Sequence, residues 1–328
     1  MATPVQSFVG GLGLALSVHS LLVLNGRTFG VSGFIHSAAT GDDEGMSAVA
    51  GLLAGGMVIG LLEGSGPEAF TGGVSKAILS GMLIGIGTKL SNGCTSGHMI
   101  CGLSRLSFRS LVATISFFCT AAITTHILYS DTLTYNGAFD WSIGRNGWWL
   151  ILLYVAALTP PLIFHRSPTR SCETPSELFL KRNTTAFCTA FSFAVALRLS
   201  NLSNSIRVLS FLILPFHSAF DPSLAFLAVG ALPLATLLYH LYRGRSSSSP
   251  GAGCSVQATA YCRLILGAAL FGVGWGISGT CPGPGLVNAG RSLFVGSSAK
   301  QFVAWTASVM LGGVLANSNL RQVEAFCQ

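Results

Sequence analysis

Apolar stretches separated by short polar loops make up most of this chain. Six of them are predicted to cross a bilayer, for which a helix needs about 20 mainly apolar residues; they lie at 5–24, 47–62, 106–129, 148–164, 223–242 and 301–316. Three more stretches are apolar but short, at 30–39, 185–199 and 208–220. Polar or Gly- and Pro-containing loops interrupt the pattern at 41–45, 65–73 and 243–253. The pattern predicts an all-α, polytopic membrane bundle.

Two further apolar helices are interrupted in similar ways. The first enters at 74–90, breaks at 91–93 and resumes at 95–103, whereas the second enters at 261–277 and breaks before Cys281. A shift of 187 residues superposes four pairs of residues in the two segments: Cys94 and Cys281, Ser91 and Ser278, Gly85 and Gly272, Gly87 and Gly274. We therefore expect two internal repeats, each with a broken or re-entrant helix hairpin that carries a cysteine at the break.

These repeats predict how the chain is divided. Residues 1–130 form a first transmembrane repeat, 131–182 form a linker with one transmembrane span, and 183–328 form a second repeat. The basic stretch 165–182 is predicted to be cytoplasmic, because loops rich in Lys and Arg stay on that side. Repeats of this kind are parallel or inverted, and the positions of Lys and Arg favour hairpins that re-enter from the cytoplasmic side in both halves.

The composition supports membrane residence. Half of the residues are hydrophobic and 9% are charged, compared with roughly 25% charged residues in soluble domains. The forty glycines suit close helix packing in lipid. The net charge of +7 is attributed to cytoplasmic loops rather than to nucleic-acid binding. We expect a multi-pass protein of the cell membrane, with the lipid bilayer as its surroundings and no nucleic-acid partner.

An interrupted helix at membrane depth has a physical cost, because an unpaired backbone amide in hydrocarbon costs several kcal/mol. Such backbone persists only where it is buried in protein or lines a polar cavity. A new helix is expected after each break, since Thr95 and Ser96 are N-cap residue types and Pro282 and Pro284 suit a first turn. Helix N-termini attract anions. Two of them that converge predict an anion site without a buried Lys or Arg.

The candidate transport residues surround the two cysteines. They are Gly93, Cys94, Thr95, Ser96, Gly97, His98 and Cys101 in the first half, and Thr280, Cys281 and Gly283 in the second. A neutral thiol is a weak donor, which suits a soft anionic sulphur better than a well-hydrated oxyanion and binds loosely enough for release. A helix N-terminus lowers a thiol pKa and apolar burial raises it, and the sequence leaves this balance open.

Other functions fit some of the same residues. Cys94, His98 and Cys101 share one helix face at spacings of four and three residues, and Cys and His bind zinc or copper. A membrane redox or sulphur-transfer protein with a metal or haem is therefore the alternative function. A redox pair of Cys94 and Cys281 would need Cα atoms within about 7 Å. A structural accessory subunit is a third interpretation.

Ordinary structural roles also compete for the candidate residues. Taken singly, the four superposed glycines are typical of helix packing, and a buried cysteine is often a small hydrophobe. His98 is more typical of a core histidine with satisfied hydrogen bonds than of a ligand. Arg105 and Arg109 are typical interfacial anchors. These interpretations do not explain why a cysteine lies at the equivalent place in both helix-breaking turns.

The two cysteine motifs resemble those of a known family. NGCTSGHMICGLSRLSFRSLVAT at 92–114 and GWGISGTCPGPGLVNAG at 274–290 are similar to the two signatures of the YeeE/YedE sulphur-transport family, and 197–212 with 221–232 resemble its half-length members. The resemblance implies two half-length members fused in one chain. It also implies a transporter, rather than an enzyme, for a small sulphur-containing anion, with thiosulfate as the leading substrate. Its cysteines, here Cys94 and Cys281, would pass the anion through a central constriction.

One departure from the family pattern concerns a third cysteine. Thiosulfate-carrying members place one in the first helical region, whereas this sequence has no cysteine before Cys94. Ser17, His19 and Ser20 are candidates for the equivalent place, and Cys101 is a candidate substitute thiol. We expect no cofactor, and the sequence has no Gly-x-x-x-x-Gly-Lys-Ser/Thr nucleotide motif. A cytoplasmic sulphur-handling protein is a further partner to consider.

Overall fold

The fold is a bundle of helices. The computed structural model describes residues 3–70, 73–134, 138–144, 146–166, 174–214, 217–242, 258–293 and 298–318. In these ranges the α-helices are α1 (Pro4–Asn25), α2 (Val31–Ala39), α3 (Asp43–Glu63), α4 (Gly73–Ser91), α5 (Phe108–Tyr129), α6 (Gly147–Arg166), α7 (Pro175–Leu199), α8 (Ser205–Leu212), α9 (Ser223–Leu241), α10 (Ala258–Ser278), α11 (Pro282–Ser292) and α12 (Ala299–Ser318). A π helix, Ser96–Gly102, follows the first break. The predicted loop at 243–253 lies outside the described residues.

Six segments of the described chain are long and apolar enough to cross a membrane. They are α1, α3, α5, α6 to His165, α9, and the stretch Tyr261–Ser292 that contains α10 and α11. The predicted all-α membrane class is therefore confirmed. The predicted span at 301–316 forms α12 but is not among the six, because Lys300, Gln301 and Asn317 near its ends lower the mean hydropathy of this helix.

Helix caps explain where the predicted boundaries were wrong. α3 begins at Asp43, before the apolar residues, because the Asp42 side chain accepts a hydrogen bond from the Gly45 amide. α7 begins at Pro175, ten residues before its predicted start, because Thr174 and Glu177 form a capping box in a polar stretch. These polar first turns carry no hydrophobic signal.

Ion pairs at the two ends of α3 orient the helices around it. At the start of α3, Glu44 lies 3.4 Å from Arg27 and 3.2 Å from Arg182. At the end of α3, the Glu63 carboxylate lies 2.7 Å from Arg198 and 2.9 Å from Arg291. We call these the Glu44 end and the Glu63 end of the bundle. α7 therefore runs parallel to α3, and α11 finishes at the Glu63 end.

The two broken hairpins open at opposite ends of the bundle. Arg105 and Arg109, which follow the first break, share a cavity with Arg27 at the Glu44 end, whereas Arg291, after the second break, lies at the Glu63 end. A 21-residue helix such as α3 is about 30 Å long, so these ends are far apart. The expectation that both hairpins re-enter from the cytoplasmic side is therefore wrong. Counting arginines could not reveal this, because Arg291 is paired with a buried glutamate.

The broken helices pack in an exchanged pattern. α4 packs along α12, α10 packs along α5, and α4 and α10 pack on each other between them. Outside this group, α1 packs on α9 and α3 packs on α7. This exchange of partners is what two inverted repeats would give, although the repeat itself stays a prediction.

Glycines allow the broken helices to approach so closely. A Cβ added to Gly85 would lie 2.2 Å from the Val309 carbonyl oxygen, and one added to Gly272 would lie 2.3 Å from the Phe117 carbonyl oxygen. A Cβ on Gly87 would lie 2.4 Å from the Phe271 backbone nitrogen. The interpretation of these glycines as helix-packing residues is therefore confirmed.

We predict that Gly85→Ala lowers the melting temperature of the detergent-purified protein. The new methyl group meets backbone of α12, which cannot rotate away, and such overpacking costs about 1–3 kcal/mol. Gly33→Ala is the matched control, since nothing lies within 4 Å of its added Cβ and alanine favours a helix. Equal melting temperatures for the two variants would contradict the packing argument.

Candidate functional site

Both helix breaks begin with the same backbone turn. After Ser91 the chain enters the left-handed region at Asn92 (φ 58°), and the Gly93 amide donates to the Thr88 carbonyl at 3.0 Å. After Ser278 it does so at Gly279 (φ 62°), whose amide donates to the Trp275 carbonyl at 2.7 Å. Asn and Gly are the residues that favour this conformation at a helix C-terminus. Each break is thus a capped helix end rather than a distorted helix.

A serine hydroxyl supports each turn in the same way. Ser91 Oγ lies 2.8 Å from the Gly87 carbonyl oxygen and 3.0 Å from that of Gly93. Ser278 Oγ lies 3.0 Å from the Gly274 carbonyl oxygen and 3.3 Å from that of Thr280. Sequence reasoning aligned these serines but gave them no role. The signal that was available is the serine placed three residues before each cysteine.

The two breaks meet at a central cavity of about 180 Å³. Of the predicted transport residues, Thr95, Ser96, Cys281 and Gly283 line it. Thr95 from the first half and Cys281 from the second thus line the same cavity. The remaining wall is mainly apolar and includes Leu14, Met99, Phe118, Phe193, Phe211 and Trp275.

Cys94 lies beside this cavity rather than in its wall. Its side chain is buried, and Cys94 Sγ lies 3.2 Å from Ser96 Oγ. Ser96 Oγ also accepts a hydrogen bond from the Val31 amide at 3.2 Å. Cys94 and Cys281 are both free thiols. Thr280, on the other side, is buried and lies within its own turn.

A larger polar cavity of about 620 Å³ lies at the Glu44 end, and we call it the vestibule. Among the described residues, four cationic ones line it, Arg27, Lys89, Arg105 and Arg109, and no Asp or Glu does. The other predicted site residues, Gly93, Gly97, His98 and Cys101, are part of its wall. The described walls therefore place positive charge next to the first break.

Arg27 is the one vestibule cation with a carboxylate partner at hydrogen-bond distance in the described chain. Its Nη1 donates to Asp42 Oδ2 at 2.7 Å. This hydrogen bond lowers the pKa of the Asp42 carboxyl below its usual value, so Asp42 is ionised and offsets Arg27 at neutral pH. Lys89, Arg105 and Arg109 supply the remaining positive field.

The His98 and Cys101 side chains already have protein partners. The His98 ring nitrogens lie 3.2 Å from Ser110 Oγ and 3.2 Å from the Ser91 carbonyl oxygen. Cys101 Sγ donates to the Phe29 carbonyl oxygen at 3.0 Å. His98 therefore ties the end of α4 to α5, and Cys101 ties the π helix to the segment before α2.

The described residues offer no metal site for the alternative function. Within those ranges, no three His, Cys, Asp or Glu side chains come together as metal ligands. Cys94, His98 and Cys101 also do not converge, because Cys94 contacts Ser96 whereas the other two residues face the vestibule. Their shared helix face in the sequence does not become a shared ligand set.

α1 contains the residues that were candidates for the place of the missing third cysteine. Ser17 is fully buried and lies 3.1 Å from the Tyr154 hydroxyl and 3.0 Å from Ser192 Oγ. Neither it nor His19 nor Ser20 lines the central cavity. The α1 residue that does so is Leu14. The first helix therefore offers the central cavity an apolar side chain.

Comparisons with known proteins agree with this architecture. A family model described as "Sulphur transport" matches residues 3–123, and a model described as a family of unknown function matches residues 182–326. A "Probable transporter" of Xylella fastidiosa strain 9a5c is 39% identical over 112 residues, which are 33% of this chain and 83% of the relative. A "Probable transporter" of strain Temecula1 is 34% identical over 132 residues, 40% of this chain and 86% of that relative.

The relatives are much shorter than this chain, since most of each matches little more than a third of it. Two family models in one polypeptide fit a fusion of two half-length proteins. The apolar helices and the relatives together identify a multi-pass integral membrane protein. The chain belongs to the sulphur-transport family of membrane transporters.

Proposed function

We propose that this protein carries a small sulphur-containing anion through the central cavity, with thiosulfate as the leading substrate. The observation that carries the proposal is the meeting of the two breaks, where Thr95 of the first half and Cys281 of the second line one cavity. The "Sulphur transport" family match supports the class of substrate.

The vestibule is the proposed entry to this path from the Glu44 end. Lys89, Arg105 and Arg109 line it without carboxylates in the same wall. A cleft lined by one sign of charge concentrates the oppositely charged ligand and raises its association rate. Because salt screens such fields over about 10 Å at 0.1 M, this attraction weakens as ionic strength rises.

The central cavity is the proposed constriction. No charged residue of the described chain lines it, so a fully hydrated oxyanion would lose water there without a compensating ion pair. A soft sulphur atom is held less strongly by water and accepts weak hydrogen bonds from thiol and hydroxyl groups. Weak binding at the narrowest point allows the anion to leave again.

The helix ends add a limited contribution to anion binding in the central cavity. Cys281 is the N-cap of α11, and Pro282 and Pro284 have no amide hydrogen. Gly283 therefore supplies a free N–H group of this first turn toward the cavity that it lines. Cys94 enters the proposed relay through Ser96, which it contacts and which lines the cavity.

The first prediction concerns the two thiols. Cys94→Ala and Cys281→Ala are each expected to reduce radiolabelled thiosulfate uptake into proteoliposomes by about tenfold, the loss of one hydrogen bond in the rate-limiting passage. Cys119→Ala is the control, because Cys119 is a free cysteine on the exposed face of α5. Unchanged uptake in both test variants would refute the thiol relay. Uptake of sulfite or sulfide in place of thiosulfate would correct the substrate.

The second prediction concerns the vestibule charge. Lys89→Gln and Arg105→Gln are expected to raise the KM for uptake several-fold at low salt and to leave kcat nearly unchanged, because they weaken attraction rather than passage. The difference from the parent protein should shrink above about 0.3 M salt. Lys300→Gln is the control, since Lys300 follows Ser298, which contacts Pro67 at the Glu63 end. A KM that is equal in all variants would contradict the proposed entry.

A further inference from the structure

A second polar cavity lies at the Glu63 end, away from the vestibule. Its volume is about 280 Å³, and its wall includes Arg198, Arg291, Glu68 and three residues before and at the start of α8, Ser203, Asn204 and Ser205. Arg291 and Cys281 are at opposite ends of α11. Because α11 has eleven residues, this cavity is about 15 Å from Cys281 along the helix.

Two buried side chains in this wall have donors without an acceptor. Arg291 is 5% exposed, and its Nη2 donates to Glu63 at 2.9 Å and to the Ser65 carbonyl at 3.2 Å. Its Nε–H group has no partner in the described chain, and neither does the Ser203 hydroxyl, which is also buried. Such unsatisfied donors are uncommon and point to a missing acceptor.

The start of α8 faces the same cavity. The Asn204 side chain accepts a hydrogen bond from the Arg207 amide, which leaves earlier amides of the first turn without that cap. Helix N-termini favour anions. The one carboxylate in the wall, Glu68, belongs to an exposed loop residue, where solvent screens its charge.

We propose that this cavity is a second anion-binding site, which holds a small oxyanion on the Arg291 Nε–H, the Ser203 hydroxyl and the start of α8. The site rests on the proposed function only for the identity of its anion, the transported one. It gives the path an anion site at each end, with the thiol constriction between them. Arg291 then has two roles, since it pairs with Glu63 and binds the anion.

The test measures how thiosulfate raises the melting temperature of the purified protein, because a ligand that binds only the folded state stabilises it according to its concentration and Kd. Arg291→Lys keeps a positive charge beside Glu63 but removes the Nε–H group. Ser203→Ala removes an unpartnered hydroxyl and should leave the melting temperature without anion unchanged or higher. Each variant is expected to weaken thiosulfate binding about tenfold.

Ser292→Ala is the matched control, because Ser292 is buried next to Arg291 and its hydroxyl is satisfied by the Ala289 carbonyl. It should retain the parent response to thiosulfate. A parent-like response in both Arg291→Lys and Ser203→Ala would overturn the site, as would an equal response to chloride at matched ionic strength.

The same titration with Cys281→Ala separates this inference from the transport proposal. The site is about 15 Å from that thiol, so Cys281→Ala protein should keep the thiosulfate response even where its uptake is lost. If the response disappears with Cys281, the anion binds at the constriction and the second site is wrong. If uptake survives in both Cys94→Ala and Cys281→Ala while Ser203→Ala loses the binding response, the site stands and the thiol relay fails.

Discussion

The central constraint on this fold is that every backbone amide and carbonyl at membrane depth needs a hydrogen-bond partner. Two helices nevertheless end inside the bundle. They do so without exposing free carbonyls to lipid, because left-handed turns at Asn92 and Gly279 close the helix ends and the Ser91 and Ser278 hydroxyls reach the carbonyls around them. Each cysteine directly follows one of these hydrogen-bonded turns, so the site depends on the caps as much as on the thiols.

A buried ion-pair cluster is a second constraint, and it keeps the two helix breaks next to each other. The buried Glu63 carboxylate contacts Arg198 of α7 and Arg291 at the end of α11. Removing one partner of such a buried cluster is strongly destabilising, because it leaves a charge unpaired. The cluster fixes the C-terminal end of α11. Because Cys281 caps the other end of this helix, the cluster also helps to set the position of Cys281 relative to Thr95. A stabilising ion pair at one end of α3 thus contributes to the geometry of a cavity in the middle of the bundle.

Charge and polarity divide the proposed path into different parts. The vestibule has cationic side chains in its wall, while the central cavity offers thiol and hydroxyl groups among apolar side chains. Placing arginine in the constriction would bind an anion too tightly for release. The separation explains why the residues of the two signatures have different roles: Cys281 lines the constriction, whereas His98 and Cys101 stabilise the hairpin with their own hydrogen bonds.

Some features of this protein followed from its sequence alone, because they depend on local interactions. Apolar length predicted the helices, and Gly, Asn, Ser and Cys at matching positions predicted both breaks, since caps and left-handed turns are built from neighbouring residues. Polar first turns such as that of α7 were missed because they carry no hydrophobic signal. The tertiary structure alone decided that the hairpins open at opposite ends, that Cys281 rather than Cys94 lines the central cavity, and that His98 has both ring nitrogens satisfied. These features depend on which helices pack together across more than a hundred residues of chain, and no local pattern encodes that choice.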